Sequence, residues 1–159
     1  MNLKTILPIA LFIVAFSSCK KDDSYPLNPL YDLDVRLQST GKNSGAGFIK
    51  YRQNPDTARI ISLDTWVTKL SPNHSYLLQR AVNPIADITG CSSTSWLTLG
   101  EGLNPKSIVT NARGDGYAKL WRDITGIARG TAFHITFRIV DAATLSPVLT
   151  SDCFDYTVR

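Results

Sequence analysis

Residues 60–91, IISLDTWVTKLSPNHSYLLQRAVNPIADITGC, decide the fold. Ile61, Leu63, Thr65 and Val67 alternate with Ser62, Asp64, Trp66 and Thr68, the period-two pattern of a strand with one buried face. Leu70 to Ser75 reads as a turn, because Pro72 and Asn73 favour its bent dihedrals. Tyr76 to Val82 is then a second strand, apolar on both parities and therefore expected at the centre of a sheet.

The same alternation recurs on both sides of this stretch. Tyr31, Leu33, Val35 and Leu37 alternate with Asp32, Asp34, Arg36 and Gln38. A turn is expected over Gly41 to Gly47, a second strand around Ile49 and Tyr51, and another turn at Asn54, Pro55 and Asp56. Downstream, Trp96 to Leu99 reads as a short strand, Gly100 to Pro105 as a loop and Ser107 to Thr110 as an edge pairing. Asn111 to Gly116 is a tight turn before a strand over Tyr117 to Ile124. Phe133, Ile135, Phe137 and Ile139 mark the clearest strand, and Phe154, Tyr156 and Val158 mark a terminal one. No stretch carries a helical period long enough to stand alone. Many short strands separated by Gly, Pro and Asn turns predict an all-β domain over residues 31–159. The expected architecture is a single antiparallel Greek-key β-sandwich or barrel of about eight strands.

Residues 1–18 read as a leader outside that domain. Lys4 supplies a positive n-region, and Ile6 to Phe16 form an apolar run too short for the roughly 20 residues of a bilayer span. Phe16, Ser17, Ser18 and Cys19 resemble a bacterial lipobox, with Phe16 in place of the usual Leu. The resemblance implies lipidation at Cys19, and hence a membrane partner through the lipid anchor. The competing reading is an ordinary secretory signal that leaves Cys19 as a thiol. Residues 19–30 then form a tether, whose mixed charges and prolines prevent packing. Lys21, Asp22 and Asp23 behind the anchor resemble the surface-export signal of Bacteroidetes lipoproteins, although a solvated linker has the same composition. The implied location is the outer membrane, surface-exposed, with a periplasm-facing anchor as the alternative.

The chain carries a formal charge of +4, and removing residues 1–18 takes away one lysine and no acid, leaving +3. The basic residues form no run, which argues against a nucleic-acid partner. With Cys19 lipidated, Cys91 and Cys153 remain. Export permits a disulfide, and an even pair makes Cys91–Cys153 the default over two buried thiols. Cys153 has the parity opposite to Phe154, Tyr156 and Val158. The loop carrying Cys91 must therefore fold over the outside of the sheet.

The run His74-Ser75-Tyr76-Leu77-Leu78-Gln79, followed by Gly90-Cys91 and by Cys153 near the end, resembles the Cu/Zn superoxide dismutase-like sandwich. The turn Asn111 to Ala118 also resembles that family's Asp/Gly-rich hairpin, and parts of the pattern are shared with chordin-type repeats. The resemblance implies a superoxide dismutase-like fold, with an immunoglobulin-like sandwich as the alternative. It also places Leu77 and Gln79 where the family has copper-binding histidines. His74 and His134 are the only histidines in the chain, and a metal centre built on imidazoles needs three or more converging ligands. No metal and no other cofactor is expected.

No nucleophile elbow, Cys–His pair or phosphate loop is present. Arg113-Gly114-Asp115 matches an adhesive tripeptide, but Gly114 and Gly116 are better explained by the positive φ of a tight turn. Ser92, Ser93, Thr94 and Ser95 form a polar loop without a base beside them in sequence. Trp66, Trp96 and Trp121 all fall on the polar parity of their strands. They either form an exposed aromatic platform for a glycan or protein partner, or pack beneath the Cys91 loop. The sequence thus points to a non-catalytic, lipid-anchored binding or assembly module. A purely structural envelope protein, and a hydrolase or degenerate dismutase, are the alternatives.

Overall fold

The computed structural model describes residues 31–41, 44–53, 55 and 59–159, and every described element is β or irregular. The leader, Cys19 and the tether lie outside the described residues, as do parts of the two turns expected around residues 41–47 and 54–56. Twelve strands form: β1 (Asp32–Ser39), β2 (Ala46–Gln53), β3 (Ile60–Thr68), β4 (Ser75–Pro84), β5 (Leu97–Thr98), β6 (Gly100–Glu101), β7 (Asn104–Pro105), β8 (Ser107–Val109), β9 (Gly116–Asp123), β10 (Ala132–Asp141), β11 (Pro147–Ser151) and β12 (Phe154–Thr157). That is more than the eight expected, because residues 97–109 and the chain's end are each split into short pieces. No helix of the described residues is long and apolar enough to cross a membrane.

The strands make one sheet in the order β5-β4-β10-β11-β1-β2-β3-β9-β6-β7, with β12 also on β10 and β8 also on β4. Pairing is antiparallel except for one parallel contact, Glu101 opposite Trp121. The sheet nearly closes on itself. β8 lies against β4, with Tyr76 opposite Ile108, and the Thr110–Gly116 bridge carries the chain from β8 into β9. Closure leaves few strand edges to pair with other chains. It also creates an inside and an outside, which the alternation in sequence must match.

The match is residue by residue. Across β1, β2, β3 and β9 the inward layers are Leu33–Tyr51–Leu63–Leu120, then Val35–Ile49–Thr65–Ala118, then Leu37–Gly47–Val67–Gly116. Tyr76, Leu78, Ile135, Phe137, Ile139 and Leu149 meet them from the other wall. A fully buried aliphatic or aromatic side chain contributes about 1.5–3 kcal/mol, so these layers hold the barrel. Thr65 is wholly buried, and its hydroxyl is satisfied by donating to the Leu63 carbonyl (3.1 Å). Gly47 sits where a Cβ would lie 2.9 Å from the Leu37 side chain beside it and 3.1 Å from Leu149, so these two side chains fill the space that a larger residue would need.

The Cys91–Cys153 disulfide forms, with Cα atoms 5.6 Å apart. Cys153 is exposed, as its parity requires, but it lies in the break between β11 and β12 rather than in the terminal strand itself. Ser151 spans that break: its hydroxyl accepts from the Phe137 amide (2.9 Å) and donates to the Asp152 carbonyl (2.7 Å). The loop leading to Cys91 is organised by Asn83. Its amide donates to Asp87 (2.8 Å) and Ser92 (3.1 Å), and its carbonyl oxygen accepts from the Ser93 amide (2.9 Å).

Candidate functional site

The outward parity of β1, β2, β3 and β9 makes three rows in register. The first is Arg36–Phe48–Trp66–Tyr117, the second Asp34–Lys50–Asp64–Lys119 and the third Asp32–Arg52–Ser62–Trp121. In the first row the Phe48 and Trp66 rings are 6.0 Å apart between centroids, and Trp66 and Tyr117 are 5.1 Å apart. Directly opposed cross-strand aromatics at these spacings support the sheet by roughly 0.2–1 kcal/mol per pair. They also leave surface uncovered: Trp66 is 38% exposed and Tyr117 51%. Tyr117 is fixed by donating its hydroxyl to Asp64 (3.1 Å), and desolvation together with that carboxylate raises its pKa.

A shallow, open depression of about 560 Å³ lies against this row, lined by Trp66, Val67, Thr68, Val109, Thr110, Asn111, Asp115, Gly116 and Tyr117. Val109 adds a 60% exposed apolar side chain. The second row beside it alternates in charge across four strands, so the aromatic surface is flanked by groups of both signs. Sequence parity places Trp66 here; Phe48 and Tyr117 were not singled out. Their signal was the same outward parity, but only the register shows that the three rings meet.

The three tryptophans do not form one face. Trp121 shares the outer face of β3 and β9 with Trp66, but in the third row, on the far side of the charged row. It is 38% exposed, and the β6–β7 hairpin lies on it: a Cβ at Gly102 would come 2.8 Å from its ring. Trp96 is partly buried on the β4–β10 side, just before β5, where the Arg138 guanidinium stacks 3.9 Å from its ring. Of the three, only Trp96 belongs to the segment tied down by the disulfide.

The Trp96 region shows what occupies the positions that the dismutase resemblance compares with copper ligands. Leu77 and Gln79 sit side by side with the outer face of β10. The Gln79 carbonyl oxygen accepts from Arg138 Nε (2.8 Å), and its amide donates to Thr98 (3.0 Å). Each histidine has one carboxylate: His74 Nε2 bonds Asp141 (2.5 Å) and His134 Nδ1 bonds Asp155 (2.6 Å). Hydrogen bonds from the Thr144 amide, His74 and the Ala143 amide hold Asp141 down to about 2. Among the described residues no three His, Cys, Asp or Glu side chains converge as metal ligands would. In the serine loop Thr89 and Ser92 bond each other (2.8 Å), with Asp87 accepting from Thr89. Among the described residues, neither hydroxyl is hydrogen-bonded to His134, whose Nδ1 bonds Asp155.

Arg113-Gly114-Asp115 is the tip of the hairpin between β8 and β9. Gly114 has φ +81°, as a tight turn requires, whereas Gly116 does not have positive φ. The tip is built by Asn111, whose side chain accepts from the Arg113 (2.8 Å) and Asp115 (3.1 Å) amides.

No protein-family model matches the chain, and no curated protein matches its sequence.

Proposed function

We propose that the protein is a lipid-anchored binding module of the cell surface, and that the Phe48–Trp66–Tyr117 row is its ligand face. The carrying observation is that row: three aromatic rings in cross-strand register, two of them more than a third exposed, beside an open depression. Rigid aromatic faces give large contact area at small entropic cost. The hydroxyl-binding groups around them, Asp64, Asn111 and Asp115, suit a carbohydrate chain, whose rings stack and whose hydroxyls need partners. An open depression on a barrel wall fits an extended ligand better than a small enclosed substrate.

The anchor and the dismutase-like ancestry belong to the same proposal. Export is supported by the Cys91–Cys153 disulfide, a bond rare in reducing compartments. Anchoring rests on Phe16-Ser17-Ser18-Cys19. The likeness to a superoxide dismutase barrel is supported by the order of the wall strands, β1-β2-β3-β9-β8-β4-β10-β11, a Greek-key path in which β3 lies beside β9 rather than β4, and β4 lies beside β10. The metal function of that family is absent from the proposal, since Gln79 is committed to Arg138 and Thr98.

Two measurements test it. Mass spectrometry of the membrane-extracted protein should show a mature chain that begins at a diacylglycerol-modified Cys19. Membrane retention of a Cys19→Ala form would remove the anchor from the proposal. For the ligand face, the full-length chain should bind surface polysaccharides on a glycan array. Trp66→Ala should weaken that binding by more than about 1 kcal/mol, as hot-spot truncations do, with the fold retained and the melting temperature lowered only by the loss of the Phe48 and Tyr117 ring pairs. Unchanged glycan affinity in a folded Trp66→Ala protein would place the ligand elsewhere, and binding only to a protein would replace the carbohydrate reading.

A further inference from the structure

A second feature lies at the other end of the barrel from the small Gly47–Val67–Gly116 layer. Below the Tyr51–Leu63–Leu120 layer the next inward positions are Gln53, Ile61 and Arg122, and β4 contributes Arg80 from the opposite wall. The two guanidiniums line one cavity whose other walls are apolar, among them Ile61, Ile124, Phe133 and Tyr156. Arginines that point into a barrel rather than out of it need compensation, because a charge in apolar surroundings is costly unless paired.

That compensation is missing from the described residues. Arg122 donates to the Gly102 carbonyl (3.2 Å), a neutral acceptor. The Arg80 backbone belongs to the ladders with β10 and β5, but its guanidinium makes no hydrogen bond or ion pair with any described residue. The nearest acidic side chain in sequence, Asp123, is engaged by the Thr125 amide (2.7 Å) and hydroxyl. Desolvation pushes the Arg80 guanidinium below its ordinary pKa; Tyr51 opposes that shift, and the Arg122 charge adds to it. Two cations therefore line a common, largely apolar space, and no carboxylate of the described residues lines it with them. The cavity holds about 20 Å³, room for about one water-sized group.

We propose that the space between Arg80 and Arg122 is a binding site for one small monovalent anion, a halide or a carboxylate no larger than formate. The guanidinium fork is the side chain best shaped to hold such a group, and hydrogen bonds to charged partners are about twice as strong as neutral ones. The size of the space excludes sulfate and phosphate. The site is independent of the aromatic row, which lies outside the barrel at its opposite end. The anion would act as a structural counter-ion that couples the barrel's stability to the ionic surroundings of the cell surface.

The test is thermal unfolding of the full-length chain at constant ionic strength, with sodium gluconate replaced stepwise by chloride, formate or sulfate. A small monovalent anion should give a saturable rise in melting temperature of about 5 °C at tenfold excess over its Kd. Whichever of chloride and formate saturates first identifies the halide or the carboxylate as the preferred form. Sulfate, a stronger general stabiliser, should give no saturating phase. Arg80→Met should abolish the saturable phase, and a bromide-soaked crystal should show an anomalous peak between the two guanidiniums. The proposal is overturned if the wild-type response follows only the general salt series, or if Arg80→Met keeps the saturable phase. Asp56, outside the described residues, provides the remaining control. Anion sensitivity that is absent in wild type and appears in Asp56→Asn would make the chain's own carboxylate the counter-ion and overturn the site. If Arg80→Met does not fold, the bromide peak decides, and its absence rejects the proposal.

Discussion

Reducing the Cys91–Cys153 bond is expected to destabilise the protein by about 4 kcal/mol. The bond joins residues 62 apart in sequence, and closing a loop of that length removes much of the unfolded chain's freedom. The native side contributes as well. Cys153 sits in the break between β11 and β12, where Ser151 bridges to β10, and Cys91 lies midway along the excursion between β4 and β5. Without the bond, the excursion is held mainly by Asn83 and by the stacking of Arg138 on Trp96. Urea unfolding with and without a phosphine reductant should show a lower midpoint together with a larger slope, because the reduced denatured chain is more expanded. Cys153→Ser should reproduce it. A loss below about 1 kcal/mol would mean that the unfolded chain is already compact around this loop.

The sequence revealed the long strands because each has one wet and one dry face. Leu33, Val35 and Leu37, or Leu63, Thr65 and Val67, reach the core on the parity that their alternation predicts, and Trp66 and Trp121 reach the surface on theirs. The short elements carried no such signal. β11, with the residues PVLTS, is five residues long and begins with a proline, so alternation has no room to show. It nevertheless joins β1 to β10 and closes one seam. Trp96 precedes a two-residue strand, where parity has no meaning, and of the two alternatives that the sequence leaves open it is partly buried in the disulfide-tied segment rather than on a face with the other tryptophans. The aromatic row failed to appear for a different reason. Phe48 and Tyr117 are outward on their own strands, but register between strands is a tertiary property that a single strand's pattern does not contain. Arg80 illustrates the reverse case. The strand apolar on both parities lies between β5 and β10, as that pattern implies, yet the charged residue within it points inward, and only the closed barrel makes that consequential.

Gly114→Ala is expected to open the second seam and remove the candidate ligand face with it. Gly114 has φ +81°, a region in which a Cβ costs about 1–2 kcal/mol. An added Cβ would also lie 2.0 Å from the Leu70 carbonyl oxygen, a backbone atom that cannot rotate away. Forcing a methyl group into such a contact costs a further 1–3 kcal/mol or so, so a total loss of roughly 2–5 kcal/mol follows. The contact matters because it is the latch of the barrel. The Leu70 amide donates to the Gly114 carbonyl (3.1 Å) and the Asn73 amide donates to Asn111 (3.1 Å). Thr110 bonds Ser71 through its hydroxyl (2.7 Å) and His74 through its amide (2.9 Å). These bonds hold the β8–β9 hairpin to the β3–β4 turn, and the same hairpin supplies Val109, Asn111, Asp115 and Tyr117 to the depression beside Trp66. Hydrogen exchange should therefore show the protection of residues 107–117 falling more than that of β1 and β2, with glycan binding lost in parallel. Gly126→Ala, where no atom lies within 4 Å of the added Cβ, serves as the matched control and should leave both unchanged. Equal protection across the barrel in Gly114→Ala would show that the latch is not a separable unit and that closure is enforced by the core layers alone.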